Sequence, residues 1–318
     1  MLQKMEKISV IIPLYNTAEY IGRCIDSVLG QGVDAQIIVV DDCSTDSSRE
    51  IVRGYGERVR LICQPQNRRQ AAARNVGMEV MTGEWFFFLD SDDELAEGAL
   101  QDMLVAAAEE DVDWVEGAFK TVYEDRTVIQ SHSKGRYSSA MEVARNFDKL
   151  NFSNVTAKLF NSRLKDIRFD EQIYFEDELW IMEAYRRVQT IKVIEKPVYI
   201  RYVRQGSTMM SRYSEAKIES LLKITERICA SNPDKNQQHK AVYVALTLIK
   251  NIYITDFPKN YRKEILRKLF ATGVCKMYCN RDVLPPLTGA MSLLLPMRRR
   301  WVFELLFKIP IHTASKLG

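Results

Sequence analysis

At 318 residues, 46% hydrophobic and 27% charged, the chain has the composition of a folded protein with one large core or two modest ones, and disorder is excluded for the bulk of it. Its formal charge of +3 is uneven: from Arg281 onward Arg281, Arg298, Arg299, Arg300, Lys308 and Lys316 stand against Asp282 and Glu304, so the remainder is close to neutral. That balance argues against a nucleic-acid-binding domain and points the basic, apolar tail toward an anionic surface.

The amino terminus passes from a short polar lead into Ile8-Ser9-Val10-Ile11-Ile12, which reads as a strand and not as a secretion signal. An amphipathic stretch from Ala18 to Leu29 follows, then a strand over Gln36 to Val40 and a helix over Ser47 to Tyr55, with Ser44 and Asp46 as natural caps. Next come a strand at Val59 to Ile62, a helix from about Gln70 to Met81, a strand at Trp85 to Leu89 and a helix near Ala99 to Glu109. Repeated β-α units of this length predict an α/β fold, a Rossmann-like, mostly parallel sheet with helices on both faces.

Beyond Asp113 the alternation loosens: Phe119 to Val128, a helix around Ala140 to Leu150, Thr156 to Phe160, a helix from Asp177 to Arg187, and strands over Ile191 to Tyr202. From Ser214 the pattern is helical, over Glu215–Ala230, Gln238–Thr255 and Tyr261–Tyr278. The expected division is a domain over 1–213 and a helical region over 214–318 with a basic amphipathic tail. Six cysteines (Cys24, Cys43, Cys63, Cys229, Cys275, Cys279) lack paired spacing and read as reduced thiols of a cytoplasmic protein.

Chemistry concentrates where strands end. The aromatic strand Trp85-Phe86-Phe87-Phe88-Leu89 stops at Asp90-Ser91-Asp92-Asp93, and ligands of open α/β sheets bind outside such carboxyl ends. Carboxylates crowded there repel one another unless a cation joins them, and hard divalent ions couple oxygen ligands to phosphates. The bland alternative is a solvated turn. Three further patches occupy comparable places: Pro13-Leu14-Tyr15-Asn16, Asp41-Asp42-Cys43-Ser44-Thr45-Asp46, and Ala71-Ala72-Ala73-Arg74-Asn75-Val76-Gly77.

These four patches, in this order, resemble the nucleotide-sugar-binding half of family 2 glycosyltransferases, over roughly residues 7 to 205. The resemblance implies a GT-A fold with a metal-binding Asp-x-Asp. It implies that Pro13, Tyr15 and Asn16 flank the donor, that Tyr15 packs on a uracil-type base, and that Asp42 or Asp41 accepts the imide N–H of that base. Arg74 would face the nucleotide or the acid cluster. Asp92 would bind Mn²⁺ or Mg²⁺, Asp90 would hold ribose or a metal-bound water, and Ser91 lies between them. The alternatives are helix capping for Asp41 and Asp42 and core packing for Tyr15.

Downstream, Tyr174-Phe175-Glu176-Asp177-Glu178 resembles the segment that carries the general base of inverting members, with Asp177 as the base and Glu176 the next choice. A carboxylate at a helix amino terminus is stabilised as the anion, although three acids there also suit ordinary capping. Lys158 and Arg204 match basic positions of relatives, and Arg204 would neutralise diphosphate. Many relatives place a histidine after such an arginine. Gln205 stands here, and His132, His239 and His312 lie outside the matched patches.

The expected activity is metal-dependent, inverting transfer of a sugar from a nucleoside diphosphate, with UDP first, to a hydroxyl of a glycan or lipid-linked acceptor in cell-surface polysaccharide synthesis. Rivals from other classes fit less well. A receiver domain wants its acidic pair after the first strand, a haloacid-dehalogenase-like phosphatase wants Gly-Thr after Asp-x-Asp, and a non-catalytic sugar-nucleotide-binding subunit has no need of both acid sites. Phe152, Trp180 and Tyr185 suit either an acceptor pocket or the core. In the tail, Pro296 breaks an apolar run too short to span a bilayer, and the arginines with Trp301, Phe303 and Phe307 suggest a segment lying in the membrane interface on the cytoplasmic face. The same residues would alternatively pack on the chain's own helices or form a seam between two copies.

Overall fold

Three β-α units open the chain: β1 (Ile8–Leu14), α1 (Ile21–Leu29), β2 (Ala35–Asp41), α2 (Ser48–Arg53), β3 (Arg60–Cys63) and α3 (Arg69–Val80). β4 (Trp85–Phe88), β5 (Glu94–Leu95), α4 (Ala99–Ala107), β6 (Trp114–Val122), β7 (Thr127–Gln130), β8 (Gly135–Tyr137) and α5 (Ala140–Arg145) follow. β9 (Lys158–Asn161), α6 (Glu176–Arg187) and β10 (Ile191–Tyr202) complete the sheet region, and α7 (Glu215–Ala230), α8 (Lys235–Ile254) and α9 (Lys259–Ala271) come last. This computed structural model describes residues 8–108, 111–131, 134–147, 150–203, 212–274 and 277. Arg204, Gln205, His132, His312 and the tail from Arg281 lie outside them.

The described residues form two compact units, one within Met1–Gln172 and Glu176–Met210, the other within Ile173–Phe175 and Ser211–Gly318. In the first, the strands run in the order β3-β2-β1-β4-β9-β6-β10-β5, with β7 beside β6 and β8 beside β10. The part from β3 to β4 is parallel, as helical crossovers require. Past β4 the sheet is mixed: β9 is antiparallel to both β4 and β6, whereas β10 is parallel to β6.

Burial explains the element choices. β1 is buried along its whole length, and α1 buries Ile21, Cys24, Ile25 and Val28, one face at helical spacing. α3 packs closely on β1 because Gly77 has no side chain; a Cβ there would lie 2.4 Å from Cγ2 of Ile11. Along β4 the rings alternate: Phe86 and Phe88 pack with Phe160 and Trp180, and Phe87 stacks on Tyr199. This packing fixes the strand that leads into the loop at Asp90.

In the second unit α7 and α8 pair along apolar faces. α8 starts three residues earlier than the sequence pattern suggests, because Asp234 and Gln237 form a reciprocal capping box. Tyr174 N–H donates to Ser220 Oγ at 3.0 Å and Phe175 stacks on Tyr213, which secures the short segment Ile173–Phe175 within this unit. Among the described residues no helix is long and apolar enough to cross a membrane.

Candidate active site

The ends of β1 and β2 are tied together. Asn16, at φ 50°, turns the chain out of β1; its Oδ1 accepts Thr45 N–H at 2.8 Å, and its own N–H donates to Ser44 Oγ at 3.1 Å. Tyr15 beside it is 48% exposed, so it does not belong to the core. Pro13 is buried inside β1 opposite Val40, where it shapes the strand end and offers no group to a ligand.

Asp41 and Asp42 are both buried, and neither caps α2, whose N-cap position is Ser47. Asp41 accepts Ser44 N–H on Oδ1 at 3.1 Å and Arg49 on Oδ2 at 2.6 Å. Asp42 takes Gln64 Nε2 at 2.9 Å and Arg68 N–H at 2.7 Å, both on Oδ1. Asp46, read as a cap, lies one residue before the N-cap; it accepts the N–H of Ser48, the first residue of α2, and the N–H of Ala18, each at 3.0 Å.

A second cluster forms around Arg74, buried on α3. Its Nη1 donates to Glu176 Oε1 at 2.9 Å and to Asp177 Oδ1 at 2.5 Å, while Nη2 reaches Asp90 Oδ1 at 3.1 Å. Asn75 helps to bring α6 here: it donates to Phe169 O and Glu171 Oε1 and accepts Phe169 N–H, and Arg68 pairs with Glu171. Phe175, at φ 60°, then turns the chain into α6. Gln70 Nε2 adds a bond of 2.7 Å to Glu176.

Burial opposes the charge on Arg74, but Asp177, Asp90 and Glu176 outweigh it and hold the guanidinium protonated. Burial pushes the Glu176 carboxyl up to about 7, with Asp177 adding to the shift, and pushes Asp177 up as well. The position at a helix amino terminus suggests stabilised anions. Here desolvation outweighs the helix dipole, which is worth only about 0.3–1 kcal/mol at exposed sites.

The Asp-x-Asp loop is held from three sides. Ser91 Oγ is buried and accepts Thr17 Oγ1–H at 3.0 Å, Arg23 Nη2 donates to Asp92 O at 3.0 Å, and Tyr199 Oη accepts Asp90 N–H at 3.1 Å. Asp93 points inward to Tyr202 N–H at 3.0 Å, and burial pushes its carboxyl up to about 7, with Asp90 and Asp92 reinforcing the shift. No three His, Cys, Asp or Glu side chains among the described residues form a metal-holding group. Asp90 and Asp92 nevertheless offer only hard oxygens, the set with which Mg²⁺ or Mn²⁺ completes its shell from water and phosphate.

One reading of the sequence needs correction, and one open alternative is decided. Lys158 has no exposed surface for a donor; its Nζ donates to Asn154 O at 3.0 Å and lies 3.7 Å from Glu116 Oε2. Phe152, Trp180 and Tyr185 are all buried in an aromatic cluster, so they are core and not acceptor pocket. Arg23, Gln70, Glu116 and Tyr199 carry no local signal, because each acts on a segment distant in sequence.

The arrangement of βαβ units, a carboxylate loop after β4 and acids at the start of α6 has known counterparts. A sequence model described as "Glycosyl transferase family 2" matches residues 9–167. The chain belongs to this family. It is 30% identical over 224 residues to glycosyltransferase GlyG of Streptococcus pneumoniae, covering 65% of this chain and 74% of that protein. It is also 30% identical over 249 residues to the poly(ribitol-phosphate) beta-N-acetylglucosaminyltransferase TarS of Staphylococcus aureus, covering 74% of this chain but only 42% of TarS. Of Streptococcus pneumoniae GlyA, likewise 30% identical, it covers 37%. This family 2 glycosyltransferase therefore spans less than half the length of two of these relatives. The crystal structure of TarS 1–349 in complex with UDP-GlcNAc superposes with a TM-score of 0.74 at 23% identity, covering 94% of this chain and 88% of that one. The shared fold is GT-A.

Proposed function

We propose that this glycosyltransferase transfers a sugar, with inversion, from a UDP-sugar to a hydroxyl of a glycan or lipid-linked acceptor, using Asp177 as general base. The observation that carries the reading is Arg74, which holds Asp177 and Asp90 on one guanidinium and so brings the candidate base next to the carboxylate loop. Asp177 would take the acceptor proton; Arg74 fixes its orientation. Tyr15 and Asp42 would bind the base, Asp42 through the oxygen opposite the one that Gln64 and Arg68 engage. Asp92 and Asp90 would hold Mn²⁺ or Mg²⁺, which supplies positive charge to the departing diphosphate. The basic, apolar tail supports docking on the cytoplasmic face of a membrane that carries the acceptor.

The donor is tested with a panel of nucleotide sugars and Mn²⁺, read as protection against thermal unfolding, with UDP-GlcNAc first because TarS binds it. Asp177→Asn should lower turnover by about 10²-fold or more while leaving donor affinity nearly unchanged. Asp92→Asn, or excess chelator with the wild type, should abolish transfer. Full turnover under either condition removes the metal; lost donor affinity with intact turnover in Asp177→Asn makes that residue a binding group and Glu176 the base to test.

A further inference from the structure

Helix α1 and the turn before it take hold of the Asp-x-Asp loop one residue after another. Cys24 Sγ–H donates to Asp90 O at 3.6 Å, Thr17 Oγ1–H to Ser91 Oγ at 3.0 Å, and Arg23 Nη2 to Asp92 O at 3.0 Å. Further along, Ser27 Oγ accepts Leu95 N–H at 3.0 Å and Gln31 Nε2 donates to Ala96 O at 2.9 Å. Arg23 is the charged member of this row. Its Nε lies 3.3 Å from Glu94 Oε1, and its guanidinium carbon stands 4.0 Å from the centre of the Tyr202 ring. Tyr202 in turn donates its N–H to Asp93 Oδ1 at 3.0 Å, so Arg23 packs where the end of β10 meets the loop. The Arg23 side chain is 36% exposed, and ion pairs so open to water add little stability. What the contact does fix is a peptide plane. The Asp92–Asp93 peptide is held at its carbonyl by Arg23 and at its N–H by Asp90 O, at 3.1 Å. With both ends tied, ψ of Asp92 is set, and the direction in which its Cα–Cβ bond leaves the loop follows.

We propose that Arg23 is a positioning residue for the metal: by fixing the Asp92–Asp93 peptide it aims the Asp92 carboxylate at the cation that accompanies the donor diphosphate. The proposal rests on the reading of Asp92 as a metal ligand. Glu94 offsets the charge that a guanidinium would otherwise turn against that cation. Position and charge thus act in opposite directions on metal affinity, which separates them by experiment.

The test measures the Mn²⁺ affinity of the full chain at saturating UDP, from the loss of the free-ion signal in electron paramagnetic resonance, and the UDP affinity separately in chelator. Arg23→Met should weaken Mn²⁺ binding by about 10-fold or more, the scale for removing a group that orients a metal ligand. It should leave UDP affinity in chelator and the midpoint of thermal unfolding close to wild type. A cation acting through space alone would do the reverse, since its removal tightens Mn²⁺ binding. Unchanged or tighter Mn²⁺ binding in Arg23→Met therefore overturns the proposal, and so does an equal loss of UDP affinity in chelator, which would mark a collapse of the whole site. Should Arg23→Met fail to fold, Arg23→Lys replaces it: the charge stays but not the planar fork that reaches Asp92 and Glu94 together, and wild-type Mn²⁺ affinity in it overturns the proposal as well. Mn²⁺ taken up equally by wild type and Asp92→Asn removes the metal reading and this proposal with it, whereas lost Mn²⁺ binding in Asp92→Asn with wild-type affinity in Arg23→Met overturns the positioning role alone.

Discussion

The acids at the end of β2 and the acids around Arg74 are accommodated in opposite ways. Asp41 and Asp42 each have partners of their own: Arg49 and the Ser44 amide for one, Gln64 and the Arg68 amide for the other. Those bonds hold the loops of the proposed nucleotide side in one geometry. Around Arg74, by contrast, Asp90, Glu176 and Asp177 share a single guanidinium. Burial raises both Glu176 and Asp177, and the excess of negative charge that three carboxylates leave against one cation adds to it, so both hold protons more tightly than ordinary carboxyls. One side of the site is built to stay fixed, and the other answers to charge.

Removing the shared cation should break this contrast most severely. Arg74→Met leaves three carboxylates facing one another, two of them on α6, and should cost about 3–5 kcal/mol of stability, the scale for breaking a buried ion pair. Its counterpart on the nucleotide side, Gln64→Ala, leaves Asp42 with the Arg68 amide and should cost about 1–3 kcal/mol, the scale for an unmade buried hydrogen bond. Urea denaturation of both variants gives the comparison. Equal costs would mean that the charge at Arg74 is already offset by its surroundings.

The next effect is a pH dependence. Burial first, and Asp177 second, raise Glu176 from an ordinary 4.5 to about 7. Between those values the folded protein keeps a proton that the unfolded chain has released. The stability contributed by this group is therefore full below about pH 4.5 and is lost as pH rises through about 7. Glu176→Gln is uncharged throughout, so its stability relative to wild type should improve by on the order of 2–3 kcal/mol across that window. Denaturation at pH 4.5, 6 and 7.5, flanking the values for Glu176, measures it. A constant difference between the two proteins removes the coupled acid from this account.

Much of this was legible from residue order, and the boundary is physical. β1 to β4 announced themselves because each is a short apolar run ended by turn residues, and the carboxylates at the ends of β2 and β4 followed directly. Arg74 was visible as a candidate, but its three-way contact was not, since Glu176 and Asp177 lie 102 and 103 residues away along the chain. Lys158, read as matching a basic position of relatives, misled for a similar reason: its partner Glu116 lies on another strand. The mixed part of the sheet escaped because strands and helices no longer alternate one for one after Asp113, and pattern alone does not give the strand pairing. The early start of α8 needed only Asp234 and Gln237 to be read as a capping box.

The smallest effect on stability belongs to Tyr15, and it isolates the fixed side of the site from the charged one. The ring is 48% exposed at a turn that Asn16 already anchors through Thr45 and Ser44. Removing it uncovers little, so Tyr15→Ala should change stability by no more than about 0.5 kcal/mol. Stacking of an aromatic ring on a nucleobase is worth about 1–3 kcal/mol, so UDP affinity should fall by on the order of 10-fold, and Tyr15→Phe should retain it. Calorimetric titration of UDP into the three proteins is sufficient. Wild-type affinity in Tyr15→Ala would move the base away from β1, and with it the assignment of the β2 carboxylates to the nucleotide.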